Sequence, residues 1–374
     1  MIKTQQIYLV FKLYKKQHDM LKILPLLIAI FLYGCSLPEK ENKIRIWFDR
    51  PAQHWVEALP IGNGTQGAMI YGGIAIEEFQ LNDHTLWSGG PSDWNNPNAK
   101  KMLPLIREAV FNEDYLRADT LWEYAQGPYS ARYSTAGSLF FDFGLNASQI
   151  KNYKRILNLE EGLSKVRFQI GKNSYTREAF ASYPDKAILV RFTASEKGSL
   201  NIKSFFKNEM PHQVKSPGKG HIFLRAKAPS HVAHRSYEPE QVVYEPEGEG
   251  TVYETHLKIL DTDGELSVKD GELYLKNASE VNLAVTTATS FNGFDKSPGY
   301  EGKDPEVEAN QILKKINKQT YGQLRKTHIN DFNALFSKAS LNLGHQERRT
   351  MPTNERLKKF NQGEKDNDLI TTFF

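Results

Sequence analysis

The run Asn82-Asp83-His84-Thr85-Leu86-Trp87-Ser88-Gly89-Gly90-Pro91 sets amide, carboxylate and hydroxyl side chains around one indole. On a rigid scaffold that combination suits a sugar, whose faces are apolar and whose rims are hydroxyls. The same tryptophan in a turn-rich β segment also serves as core packing. Six carboxylates, Glu57, Glu77, Glu78, Asp83, Asp93 and Asp142, could act as acid or base on a glycosidic bond. An inverting pair needs a gap of ~6.5–9.5 Å to admit a water. Glu77 and Glu78 are adjacent on a strand and must point to opposite faces, so they cannot be that pair. The six are expected to be mostly solvated or to accept turn and cap hydrogen bonds.

Other chemistries fit less well. His231-Val232-Ala233-His234, with His212 and His221 nearby, invites a metal reading. The spacing matches no ligand framework and has no helix beneath it, so no metal is expected. Gly62-x-Gly64-x-x-Gly67 matches a dinucleotide fingerprint literally but lacks the strand–turn–helix context. No cofactor is implied. Cys35 is the one cysteine, which excludes a disulfide framework and a thiolate metal site.

The elements that must position these residues read as mainly β. From about Ile44 to Phe291 short apolar runs alternate with turns. Ala68–Tyr71 is one such strand. Ile74–Leu81 is a second, with Ile74, Ile76 and Phe79 alternating against Glu77 and Gln80. Tyr153–Leu159, Leu163–Ile170, Tyr175–Ala181 and Ala187–Phe192 form a ladder, and further strands run to Val281–Thr289. So many antiparallel strands predict two stacked sheets, a large sandwich. Lys100–Gln126 interrupts as helix. Pro104 begins its regular part, with Leu105, Ile106, Ala109 and Val110 on one face, and Asn112 caps a second piece carrying Leu116, Leu121 and Trp122. After Tyr300 the period becomes helical. Asp304-Pro305-Glu306 is a helix start, and Thr320-Tyr321-Gly322-Gln323 is a capping box. His328 falls on the apolar face, the place of a satisfied core or interface histidine.

Glu57-Ala58-Leu59-Pro60-Ile61-Gly62-Asn63-Gly64, then Gly67-Ala68-Met69-Ile70-Tyr71-Gly72-Gly73, Gln80 to Pro91 and Asn95-Asn96-Pro97-Asn98-Ala99 resemble the amino-terminal domain of glycoside hydrolase family 95. That is the α-L-fucosidase family, with some α-L-galactosidases. The resemblance extends from Ile46 to about Leu369. It implies a supersandwich-like β domain over 44–300 with a helical insertion, then linker helices and the start of a catalytic (α/α)₆ barrel over 301–374. It also implies that the glutamate acid, and the asparagine pair and aspartate that activate water, lie in the barrel beyond Phe374. No catalytic residue carries onto this sequence. Sandwich loops can wall the pocket, and Asn63, Asn82, Asp83, Thr85 and Trp87 are the candidates. Shaping turns and the domain interface is the alternative role for them. The implied partners are a fucosylated glycan and the missing barrel in cis, in a truncated enzyme inactive by itself. A non-catalytic, surface carbohydrate-binding lipoprotein with stacking on Trp87 or Trp94 is the rival reading. A decayed product that aggregates is a third.

Residues 1–34 read as a signal peptide of lipoprotein type. Lys22 precedes an apolar run, Ile23–Leu32, of ~10 residues, too short to span a bilayer. Leu32-Tyr33-Gly34-Cys35 resembles a lipobox, so Cys35 is the expected lipidation site and the membrane a partner through that anchor. The start is Met1 or Met20, and the product is expected in the periplasm or on the cell surface. The formal charge of +4 is matched by five leader lysines against Asp19, leaving a neutral remainder and no nucleic-acid surface. At the other end Asp366 is a plausible N-cap of a short last helix, with Asp368 in its first turn.

Overall fold

The computed structural model describes residues 44–236, 238–344 and 350–374. The signal segment and Cys35 lie outside the described residues. Two large antiparallel sheets face each other, as the ladder of alternating runs predicts. The nine-stranded sheet runs in the order Arg45–Phe48, Ile150–Asn158, Leu163–Ile170, Asn173–Ser182, Ala187–Ala194, Glu280–Thr289, Val252–Thr262, His221–Lys227, His212–Gly218. The seven-stranded sheet is ordered Glu265–Lys269, Glu272–Ala278, Leu200–Lys207, Ser138–Asp142, Ile76–Asp83, Gln66–Ile70, Leu59–Gly62. Alternation does the work. Leu139 and Phe141 enter the core, whereas Phe140 faces outward and stacks on Phe205 at 5.2 Å. Phe79, Phe141, Phe168, Phe192, Leu257 and Leu283 fill the space between the sheets.

Six helices follow in chain order among the described residues: α1 (Ala99–Phe111), α2 (Tyr115–Glu123), α3 (Pro305–Ile316), α4 (Tyr321–Phe336), α5 (Thr353–Asn361) and α6 (Asn367–Phe373). Helices α3 and α4 cover the outer face of the nine-stranded sheet. Leu313, Ile316, Tyr321 and Leu324 meet Phe180, Leu189 and Ala284 in a second core. Strand Glu280–Thr289 is therefore buried on both faces, which is why it carries small and apolar residues and threonines with no charge after Glu280. The caps are as the local sequence predicts. Asp304 accepts from Glu306 N–H with Pro305 at N1, Thr320 and Gln323 close a capping box, and Asp366 accepts from Leu369 N–H. Arg356 adds a bidentate pair to Asp366 at 2.9 and 2.8 Å. His328 is buried, stacks on Phe180 at 4.7 Å and approaches the carbonyls of Glu161 and Gly162.

Local expectations are corrected in the insertion and in one strand. The helical insertion begins at Ala99, so Pro104 lies inside α1 and removes a ladder bond to the exposed Lys100. Asp114, not Asn112, caps α2 by accepting from Arg117 N–H. Ile106 and Ala109 are buried, whereas Leu105, Val110, Leu116 and Trp122 face outward. In Ile76–Asp83 the expected faces of Ile76 and Glu77 are exchanged: Ile76 is exposed and Glu77 points inward, while Phe79 is buried as expected, with Leu81 and Asp83 on the same face. The cause is the Gly72-Gly73 turn. Its N–H groups donate to Glu77 Oε1 at 2.7 and 3.3 Å. A Cβ on Gly73 would lie 1.9 Å from the Ile76 carbonyl oxygen. Arg177 enters from the other sheet, 3.3 Å from Glu77 Oε2, and donates to the Gly73 and Ile74 carbonyls.

Candidate functional site

The loop that follows strand Ile76–Asp83 is built from inward-turned polar atoms. Asn63 is buried. Its Oδ1 accepts from Thr65 and Gln66 N–H, and its amide donates to the Ser182 carbonyl across the sandwich. Asp83 Oδ1 accepts from Thr85 N–H at 2.9 Å and from its hydroxyl at 2.6 Å. Burial pushes the Asp83 carboxyl up, and the Thr85 donors oppose that. Thr85 Oγ1 also meets Thr289 Oγ1 at 2.6 Å. Asn82 is exposed, with its backbone paired to Gly67. Trp87 is 42% exposed, yet its indole N–H donates to the His84 carbonyl at 2.8 Å and its ring meets Tyr133 edge-on at 5.4 Å. Burial, with Asp83 nearby, pushes the Tyr133 phenol up to about 12.

These contacts aim the next four residues, Ser88 to Pro91, at a cavity of about 610 Å³. Ser88 N–H donates to the Arg132 carbonyl, Arg132 N–H donates to Ser88 Oγ, and Gly89 N–H donates to the Pro229 carbonyl. The cavity is completed by Trp94, by the segment Pro128–Ala131, and by residues 230–232, 234, 235 and 238. A short ribbon of His231–Val232 against Val242–Val243 carries that last wall.

Trp94 is 44% exposed and is held from its backbone. Asp93 accepts from Asn95 at 3.0 and 2.8 Å. Asn96 donates to the Tyr124 and Gln126 carbonyls at the end of the insertion. Gly127 presses on the Trp94 carbonyl, where a Cβ would approach to 2.1 Å. Across the cavity Tyr129 stacks on His234 at 4.6 Å, and Arg235 lies over the same ring and donates to its hydroxyl. Glu238 accepts from the Arg235 and His234 N–H groups at 2.7 and 2.9 Å, and its other oxygen is 3.5 Å from His231 Nε2. Those two amides hold its carboxyl below the usual carboxylate range, so it remains an acceptor.

The sequence-derived carboxylates do not converge here. Glu57 accepts from Gln53 N–H, Glu78 from Gln80 and Ser138, and Asp142 from Gly144 N–H. The histidines also separate. His231 and His234 line the cavity, while His212 meets the Met210 carbonyl. His221 joins a buried chain beneath α3, with Nε2 2.9 Å from His256 Nδ1, and His256 Nε2 2.8 Å from Glu254 Oε2. Burial lowers the His221 pKa to about 4. Sequence reasoning named Trp94 and the two cavity histidines but missed Tyr129, Arg235 and Glu238. No periodicity marks those three.

Residues 46–293 match the model described as glycosyl hydrolase family 65, N-terminal domain, and residues 320–374 match that of the glycosyl hydrolase family 95 catalytic domain. The chain belongs to this N-terminal domain family, in its family 95 form. It is similar to Alpha-L-fucosidase 2 of Arabidopsis thaliana, at 28% identity over 345 residues, 88% of this chain and 41% of the relative. An Aspergillus niger protein named "Probable alpha-fucosidase A" is 28% identical over 352 residues, 88% of this chain and 42% of its own length. The chain thus spans about two fifths of the length of these curated relatives.

Proposed function

We propose that this chain is the sandwich-bearing part of an exported glycoside hydrolase that removes terminal α-linked L-fucose from glycans, with inversion. The observation that carries the reading is the similarity of 88% of the chain to proteins named as fucosidases. In this reading Asn63, Asp83 and Thr85 hold the turn, and Asn82, Trp87 and the loop Ser88–Pro91 wall the glycan pocket. The acid and the activated water come from the barrel that the family resemblance implies. Residues 1–374 alone are expected to release no fucose from 2′-fucosyllactose at an enzyme-like rate. Joined to the barrel of a family 95 relative, they should support release of β-L-fucose, read by the anomeric proton signals before mutarotation. Enzyme-like turnover by the chain alone, or release of a retained anomer, defeats the proposal. Export through a lipid on Cys35 is part of it. Labelled palmitate should enter the wild-type protein and not Cys35→Ser.

A second reading is a non-catalytic carbohydrate-binding lipoprotein. The Trp94 cavity favours it, because all of its described walls come from the sandwich domain and its insertion.

A further inference from the structure

Two tryptophans bound the same corner of the sandwich with nearly equal exposure, 42% for Trp87 and 44% for Trp94. Trp87 has spent its indole N–H on the His84 carbonyl and its edge on Tyr133. Trp94 has neither kind of contact among the described residues, while its backbone is pinned from both sides by Asn95, Asn96 and Gly127. An open indole on a fixed backbone is a preorganised stacking face, so little ordering is lost when a ligand covers it.

The opposite wall supplies groups that read hydroxyls. Glu238 is an ionised acceptor, His231 stands beside it, and Ser92 and Ser130 line the same space. The charges of Arg235 and Glu238 offset each other, and Arg235 is engaged by Tyr129, so the cavity offers no excess charge to an acidic ligand. Its volume, about 610 Å³, lies in the range of ~300–1,000 Å³ typical of small-molecule sites. An aromatic face opposed by a few fixed polar groups matches a pyranose, apolar on one face and polar at its rim.

We propose that this cavity is a saccharide subsite of the sandwich itself, in which Trp94 stacks on the C–H face of a neutral sugar of a fucosylated glycan while Glu238 and His231 bind its hydroxyls. The identity of the sugar rests on the fucosidase reading above; the existence of the subsite does not. The subsite is a binding site, and no bond is made or broken there.

The test is ¹⁹F NMR of the full chain labelled with 5-fluorotryptophan. The chain has five tryptophans, and Trp94→Phe assigns the Trp94 resonance by its shift or loss. Across the millimolar range, 2′-fucosyllactose should shift the Trp94 signal saturably. Trp94→Ala should weaken binding about tenfold, read by a ligand-observed signal, with the circular dichroism spectrum unchanged. Glu238→Gln keeps the shape and should weaken binding about threefold. No shift at Trp94 with any sugar overturns the subsite and leaves the hydrolase reading standing, since that is measured by fucose release. A shift with maltose but not with 2′-fucosyllactose overturns the fucosylated class and removes support for the functional reading. Unchanged affinity in folded Trp94→Ala overturns the stacking role.

Discussion

The turn that ends at Trp87 and the cavity that begins at Trp94 are a few residues apart and are built on opposite plans. In the turn, polar atoms face inward: Asn63 reaches across the sandwich, Asp83 closes on Thr85, and Trp87 is bonded at its N–H and packed at its edge. In the cavity, Trp94 is held from its backbone and Glu238 through one oxygen by two amide N–H groups, which leaves the indole face, and the second Glu238 oxygen beside His231, on the cavity lining. A dense motif of polar residues around an aromatic is therefore not in itself a binding surface. What separates scaffold from surface is whether the hydrogen-bonding capacity has already been used.

Substitutions can break or sharpen that contrast. The largest effect is expected beneath the turn. Glu77→Ala leaves the Arg177 guanidinium buried without its carboxylate and should cost about 3–5 kcal/mol in urea unfolding. It should leave sugar binding intact in the protein that remains folded. Next is pH. His221 is neutral in the fold down to about 4, whereas an unfolded histidine titrates near ~6.5. The unfolded state then binds the extra proton, so stability should fall as pH drops from about 6.5 to about 4. The loss is about 1–2 kcal/mol once residual solvent around the ring is allowed for, and His221→Asn should flatten that slope. Asp83→Ala removes both bonds to Thr85 and should cost about 1–2 kcal/mol. A loss of sugar affinity without loss of stability would instead make the turn part of the site. Smallest is Trp94→Ala, about 1 kcal/mol in unfolding, because the residue is 44% exposed and its ring makes no aromatic contact among the described residues. A large destabilisation there would make Trp94 a packing residue and not an open stacking face.

Much of the fold was legible because its signals are local. The alternation Leu139-Phe140-Phe141 and the caps at Asp304, Thr320 and Asp366 each depend on a few neighbouring residues. In the strand Ile76–Asp83 the inward face of Phe79 is legible, but that of Glu77 is not, because the partner that draws Glu77 inward, Arg177, lies 100 positions away. The insertion was located but its faces were misjudged, since Ile106 and Val110 differ in burial and not in type. Of the cavity, Trp94 and the histidines were visible as residue types. Tyr129, Arg235 and Glu238 were not, because neither period nor motif joins them to the tryptophan.

The sequence by itself determined the strand ladder, the starts of α3, α4 and α6 and the family motif, since backbone preference and side-chain period act over one or two turns of chain. Only the tertiary structure decided which tryptophan keeps an open face and which carboxylate is left to accept a ligand. Those outcomes depend on partners from the insertion, the 128–131 segment and the 230–238 wall, and a hydrogen bond is satisfied or left free only when distant segments have come to rest beside it.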